Sequence, residues 1–348
     1  MGSRMKFLKF IYRSTVTVAI LVAAIFTLNM FGIEFFSPYM FMKYEYIKTY
    51  SNIKFYEDVL PLEGGIALVF RGKIGILNGD TLKWTRITYQ NHQGYSDGQI
   101  AVAFVKGGKY LHIITSSDQK DIMYPISIKD VKVKDGKVCV LLSDRENYIV
   151  FYDNKQNILF SAKINEKVID FDIGYNFAVA IVKSVSTGDM AVYYIDKRGV
   201  YQSKIIPASF SNVKRLFIIQ NNVVLWDGRM LNVYDMQLLK KEKSFQLNSI
   251  PKPAVGNPEV LISSDGILSY NKYTGRFIFK RLKPFEWACA TGDKIALSKG
   301  NNVEIYSLNL NRLKQLKVSS FGFVKAVLSQ DRLYYIFNDR IECYSERW

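Results

Sequence analysis

The stretch from Lys137 to Ile164, KVCVLLSDRENYIVFYDNKQNILFSAKI, constrains the fold more than any other because it can be laid over most of the chain. Two apolar runs, Val138 to Leu142 and Tyr148 to Tyr152, flank a polar break, and a third, Ile158 to Ile164, follows the Asx-rich turn Asp153 to Asn157. Short runs rich in Val, Ile, Tyr and Phe and bounded by turn formers read as strands. Counted against this unit, the best second strands begin at Ile66, Ile100, Val138, Phe177, Val223, Val260, Ile295 and Leu333, spaced by 34, 38, 39, 46, 37, 35 and 38 residues. Turn formers stand before them in Gly64-Gly65, Asp97-Gly98, Asp135-Gly136, Asn221-Asn222 and Gly292-Asp293. Gly and Asn accept the positive φ that a two-residue hairpin needs.

A period near 38 residues in strand-rich sequence fits a propeller blade of four short strands, not a helical solenoid, whose repeats would carry a 3.6-residue period. The expected fold is all-β: an eight-bladed β-propeller, with seven blades as the alternative if one repeat is degenerate. At 348 residues, one closed β unit accounts for the chain. Several runs, such as Phe177 to Val182, are apolar on consecutive residues, as expected where blade packs on blade and both faces are covered. Two places fit the register poorly, the inner-strand positions Gln90 to Asp97 and Ser249 to Pro258. The latter carries Pro251, Pro253 and Pro258, poor members of a central ladder. The last repeat supplies three strands before the chain stops at Trp348. Residues 43–50, KYEYIKTY, alternate aromatic and polar residues and are expected to add the missing strand and close the ring, the alternative being a flexible membrane stalk.

Residues 14–33, STVTVAILVAAIFTLNMFGI, contain no charge, and at about 1.5 Å per residue a helix of that length crosses the roughly 30 Å hydrocarbon layer. Arg4, Lys6, Lys9 and Arg13 precede it and Glu34 is the first charge after it, which places the N-terminus in the cytoplasm. The expected organisation is a basic cytoplasmic tail (1–13), a transmembrane signal anchor (14–36) and an extracytoplasmic propeller (37–348) at the cell membrane. A cleaved signal peptide, the competing reading, would have a shorter apolar core and end in a small-x-small site.

The cysteines Cys139, Cys289 and Cys343 lie in or beside apolar runs at no metal-ligand spacing and read as buried thiols. His92 and His112 are the only histidines; they read as far apart within the second repeat, so neither a histidine metal cage nor a Cys/His dyad with Cys139 is expected. Phosphate-binding glycine motifs do not occur. The acidic pairs Asp170/Asp172 and Asp227/Asp235 read as strand-end turn residues. No catalytic, cofactor or metal residue is assigned, and the chain is expected not to be an enzyme.

The first 36 residues hold four cations and one anion, leaving +13 of the formal +16 on the rest of the chain. Such a surface attracts anionic partners: phospholipid headgroups, anionic wall polymers or acidic proteins, with nucleic acid set aside for this compartment. The plainer alternative is that lysines keep a large β surface soluble and block its edges. In the register above, Arg71, Lys73, Lys106, Lys109, Arg145, Arg229 and Lys299 fall in or beside turns between second and third strands. Those turns share a face with the loops that join blades, in or near which stand Phe210, Phe285 and Trp287. These ten residues form a candidate binding rim.

The pattern of strand, Asp/Asn-Gly turn and aromatic-rich strand resembles the pyrroloquinoline-quinone-like propellers, including the outer-membrane assembly lipoprotein propeller. With its N-terminal anchor, the chain looks most like a family of membrane-anchored propellers from Gram-positive bacteria. The likeness covers about residues 43–348. Such repeats usually carry an Asp-x-x-x-Gly-Lys-x-x-Trp type signature that docks blades, of which Asp80 to Trp84 and Asn271 to Arg276 are only fragments. That departure, with no calcium and quinone constellation, implies a scaffold that docks an envelope protein. The alternatives are a wall-polymer or polysaccharide binding module and a glycan-cleaving or quinone-dependent propeller enzyme.

Overall fold

The computed structural model describes residues 14–20, 23, 42–51, 53, 58–184, 186–205, 212–236, 241–272 and 274–347, with the side chains of 201–205 left aside. Residues 14–20 are helical and exposed. No described helix is long and apolar enough to cross a membrane, and most of the expected span lies outside the described residues.

From residue 43 the described chain is all strand, arranged as eight four-stranded antiparallel sheets. Seven are consecutive meanders, as in β10 (Ile128–Lys134), β11 (Lys137–Ser143), β12 (Asn147–Tyr152) and β13 (Ile158–Ile164), the repeat singled out in the sequence. The first strands of successive sheets touch one another and surround the axis. They are β2 (Asp58–Leu62), β6 (Gln93–Ser96), β10, β14 (Lys167–Ile173), β18 (Arg215–Ile219), β22 (Lys252–Ala254), β26 (Trp287–Ala290) and β30 (Phe323–Ser329). The molecule is thus an eight-bladed β-propeller. The second strands β3 (Gly65–Phe70) and β19 (Asn222–Trp226) are buried at every position, whereas the outer strands β5 (Thr81–Arg86) and β21 (Lys241–Gln246) are mostly exposed.

The apolar core is correspondingly a ring of clusters, each between adjacent blades. Phe104 and Val131 pack between blades 2 and 3, Phe151 and Phe171 between blades 3 and 4, and Trp226 and Leu268 between blades 5 and 6. Apolar residues on both faces of one strand are what this arrangement demands. The tight turns follow from local chemistry: Asp135 (φ 51°) and Gly136 (φ 71°) are both left-handed, the pairing that joins twisted antiparallel strands without splaying them.

The eighth sheet is composite. β31 (Arg332–Phe337) and β32 (Arg340–Arg347) follow β30, and the outermost position is taken by β1 (Lys43–Ser51), which pairs with β32 from Lys43↔Arg347 to Ser51↔Arg340. A buried ion pair ties this seam to blade 7. Lys294, the first residue of β27 (Lys294–Lys299), donates to both carboxylate oxygens of Glu346 at 2.9 and 2.6 Å, and the Tyr44 hydroxyl donates to the same carboxylate at 3.3 Å.

Two sequence expectations change. At Gln90 to Asp97, which fits the register poorly, β6 (Gln93–Ser96) forms a regular inner strand paired antiparallel with β7 (Ala101–Phe104), and the second lies in blade 6. The inner strand expected to fail at Ser249 to Pro258 exists as β22, with Pro253 opposite Leu261. An innermost strand is a sheet edge whose far side faces the axis, so a residue with no N–H is tolerated there, and Pro61 occupies β2 for the same reason. The β22 segment also does more than complete its blade. Its turn reaches across the axis, where the Gly256 amide donates to the Ser96 carbonyl of blade 2 at 2.9 Å, while Ala290 of blade 7 donates to Val255 at 2.8 Å. Only glycine fits at this crossing: Gly256 has φ 91°, and a Cβ there would stand 2.3 Å from the Ala290 oxygen and 2.6 Å from the Pro61 ring.

Glu346→Ala leaves the Lys294 ammonium, whose side chain is 4% exposed, without its buried counter-charge. A loss of about 3–5 kcal/mol is expected from urea denaturation, against about 1 kcal/mol for Tyr44→Phe. A Glu346→Ala loss below about 1 kcal/mol would mean that the pair does not hold the seam.

Candidate functional site

Antiparallel meanders sort the connections onto two faces. Turns between second and third strands and loops between blades share one, the loop face; turns between inner and second strands and between third and outer strands share the other, the turn face.

The described members of the candidate rim, Arg71, Lys73, Lys106, Lys109, Arg145, Arg229, Lys299, Phe285 and Trp287, all lie on or at the edge of the loop face. The seven cations are exposed and the two aromatics half-buried. Phe210 lies outside the described residues. These side chains do not converge on a single point. Arg71 and Lys73 sit on blade 1, where the Lys73 ammonium lies 4.3 Å from the Trp84 ring centre and 5.0 Å from that of Phe70. Arg145 and Arg229 project from blades 3 and 5. Lys106 belongs to a cationic group with Lys129 and Lys167. Burial and these two neighbours hold the Lys129 ammonium below the usual lysine range, and it donates to the Val168 carbonyl at 2.9 Å. Beside Arg145, the Glu146 carboxylate is bonded to the Lys163 ammonium and the Tyr148 hydroxyl, which hold it below its ordinary range.

One concavity gathers rim residues. A cleft of about 250 Å³ on blade 7 is walled by Leu282, Pro284, Phe285 and Leu297, with Lys283 and Lys299 at its edge and Asn302 and Gln315 on its polar side. Its one carboxylate, Glu304, accepts from the Tyr306 hydroxyl at 2.8 Å and from Arg312 at 3.3 Å. The cleft therefore offers an aromatic face and two ammonium groups beside a neutralised acid. Trp287 is not part of this surface. It begins an inner strand, and the Lys325 ammonium, paired with Asp58 at 3.5 Å, sits 3.7 Å from its ring centre at the axial mouth. That stacked cation belongs to the channel wall.

The axis itself is charged, which the sequence reading missed. Asp130, Lys132 and Lys134 alternate along β10, and Asp170 and Asp172 along β14, so one side of each inner strand points inward. Lys132 lies 3.2 Å from Asp130 and 3.9 Å from Asp170. Asp170 and Asp172 accept the backbone amides of Leu216 and Ile218 on the next blade at 2.9 and 2.7 Å. Lys134 donates to the Ile218 carbonyl at 2.7 Å and pairs with Glu259 of blade 6 at 3.2 Å. These carboxylates dock blades and do not meet as an acid/base pair; the period-2 alternation of charge was the signal. Burial works against the Lys132 ammonium, but Asp170, Asp130 and Asp172 outweigh it and hold the group above its usual range. Burial lifts the carboxyls of Asp170, Asp172 and Asp58.

The two histidines are also not apart. His92, just before β6, and His112, on β8 (Tyr110–Ile114), meet edge to face with ring centres 5.4 Å apart, both buried, and His112 Nδ1 lies 2.8 Å from an Asp121 oxygen. Among the described residues no group of three or more His, Cys, Asp and Glu could hold a metal ion.

On the turn face, a cavity of about 500 Å³ opens beside the Gly256 crossing, lined by Asp97, Thr291, Asp293, Lys294, Asp331 and Glu346 among others. Asp97 is already committed: its carboxylate accepts from the Gln99, Ile100 and Gly136 amides, although burial still lifts it above the ordinary range.

No family model and no curated protein matches the chain. Solved structures do. BamB from Moraxella catarrhalis superposes with a TM-score of 0.52 at 12% identity over 87% of this chain and 100% of its own. The computationally designed protein Ika8 gives 0.58 at 12% identity over 87% and 100%, and Sqt1 from Saccharomyces cerevisiae 0.54 at 10% over 87% and 99%. A designed protein and a yeast protein among them mark this as likeness of fold alone. The pyrroloquinoline-quinone-like resemblance is met at that level through BamB.

A pH dependence follows from the axial carboxyls. Because Asp58, Asp97, Asp170 and Asp172 have raised values in the folded chain, the native state takes up protons there before the unfolded state does. Their contribution to stability is fullest below the unfolded value and is lost as the pH rises through the folded values. Acidification from pH 7 toward about 4 is therefore expected to hold or raise the thermal midpoint. Asp170→Asn with Asp172→Asn, which keeps acceptors for the Leu216 and Ile218 amides, should flatten the profile. A midpoint that falls steadily with acid, identically in both proteins, would contradict this.

Proposed function

We propose that the chain is a non-enzymatic, membrane-anchored scaffold of the cell envelope, its propeller held outside the membrane by the apolar segment 14–36. On this reading the loop face docks an acidic envelope protein or an anionic wall polymer. The observation that carries the proposal is that the loop face of a closed, rigid disc presents the seven exposed cations of the rim together with an aromatic-walled cleft. A rigid surface loses little conformational freedom on binding, and its field steers anionic partners to it. The anchor contributes by raising the local concentration of the disc near its partners.

The apolar span is the support for the membrane assignment: no charge interrupts residues 14–33, four cations precede it within thirteen residues, and the first charge after it is Glu34. The Phe285 cleft favours a polymer of repeating anionic units as a second occupant, because a sugar ring can lie on the aromatic face while its charge meets Lys283 or Lys299.

Lys106→Glu with Lys109→Glu reverses two exposed charges on blade 2 without touching the core. Retention of the full chain, in detergent, on an anionic wall polymer and capture of partners from solubilised membranes are expected to weaken by at least about tenfold at low salt, with wild type eluting at higher salt. Unchanged retention and an unchanged set of partners would mean that the basic face only keeps the protein soluble.

A further inference from the structure

β1 has a direction, and the direction fixes where the chain arrives. β32 runs from Arg340, just after a loop-face turn, to Arg347 at the turn face, and β1 pairs with it antiparallel, Lys43 opposite Arg347 and Ser51 opposite Arg340. The chain therefore joins the disc at Lys43, at the outer perimeter of blade 8 on the turn face. Met42 is fully buried and belongs to the apolar cluster that blades 7, 8 and 1 share, which pins that point of arrival. Resting on the membrane-anchored reading above, we infer that the turn face is the one held toward the phospholipid surface, and that the loop face with its cations and its cleft is presented away from it.

Reach decides between the two orientations. Eight residues lie between Ile33 and the buried Met42, nine steps along the backbone and at most about 30 Å of chain. With the turn face down, the tether meets the disc on the near side and needs no extension. With the loop face down, it must first climb the height of a blade. β32, with eight residues, spans about 27 Å, which leaves the tether drawn almost straight and stripped of its conformational freedom. Charge does not choose between the orientations: Lys155, Lys197, Arg198 and Lys272 stand exposed on the outer turns of the turn face, but Asp80 and Asp118 are exposed on the same set of turns and Arg198 is paired with Asp196 at 2.8 Å. The consequence is mechanical. An anionic partner reaches the loop face without passing between disc and bilayer.

The test uses the full chain in phosphatidylcholine vesicles carrying a few per cent of headgroup-spin-labelled phosphatidylcholine, neutral lipid that does not itself attract cations. Cys139, Cys289 and Cys343 are buried, and burial holds the Cys289 thiol up at about 12, so a maleimide fluorophore goes to an introduced cysteine. Ser264→Cys on the loop face and Lys272→Cys on the turn face lie at opposite ends of one strand, β24 (Gly266–Asn271), on blade 6. The label at 272 is expected to be quenched severalfold more than the label at 264, and inserting about a dozen Gly/Ser residues after residue 37 is expected to shrink that difference. Equal quenching at both positions, or stronger quenching at 264, in protein that floats with the vesicles overturns the orientation. Protein that fails to float with the vesicles overturns the anchored reading itself, and the orientation with it.

Discussion

Each blade of this ring carries apolar side chains on both sides of its middle strands, and that two-sidedness governs everything else. A sheet with one wet face can end a structure; a sheet with none must have neighbours on both sides. Eight such sheets have no terminal member, so stability requires that the last blade meet the first. The clusters that hold Phe151 against Phe171 and Trp226 against Leu268 are equivalent links in one chain of contacts, and a chain of contacts in a circle is as strong as its seam.

The seam here is made by distant parts of the sequence. β1 supplies the outer strand of blade 8, and Tyr44, Glu346 and Lys294 lock it to blade 7 through a desolvated ion pair. The inner edges pose the opposite problem, since eight strand edges face a narrow axis where backbone and charge would otherwise lie unpaired. Two devices answer it. Inner-strand carboxylates accept amides from the next blade, as Asp170 does for Leu216, and the Gly256 turn crosses the axis to Ser96. With both edges settled, the loops are left free to carry recognition, and the Phe285 cleft and the exposed Arg71, Lys106, Lys109, Arg145 and Arg229 stand on the loop face.

Much of this was legible in the sequence for a simple reason. Second strands buried on both faces read as unbroken apolar runs, so Val138 to Leu142 and Val223 to Leu225 announce themselves, and Asp135-Gly136 announces the turn that joins the first of these to its inner partner. Inner strands were harder. They are short, they are edges, and they carry charge or proline, so Lys252 to Ala254 looked like a break and Asp170/Asp172 like turn residues. The contact of His92 with His112 depends on how an inter-blade loop lies over the third strand, which no local pattern encodes. The described rim residues share one face because alternation of turns follows from strand count alone. Their grouping was not legible: Lys106 meets Lys129 and Lys167 across blades, and Trp287 faces the axis under Lys325.

Amide hydrogen exchange on the intact chain tests the closure of the ring most directly. If the seam is what the rest depends on, the ladder amides that β1 shares with β32 exchange only with global unfolding, as slowly as those of β31, although β1 is the outermost and most exposed strand of its blade. Free exchange across residues 43–51 while β31 stays protected would contradict it, since the ring would then hold together without the strand that completes it.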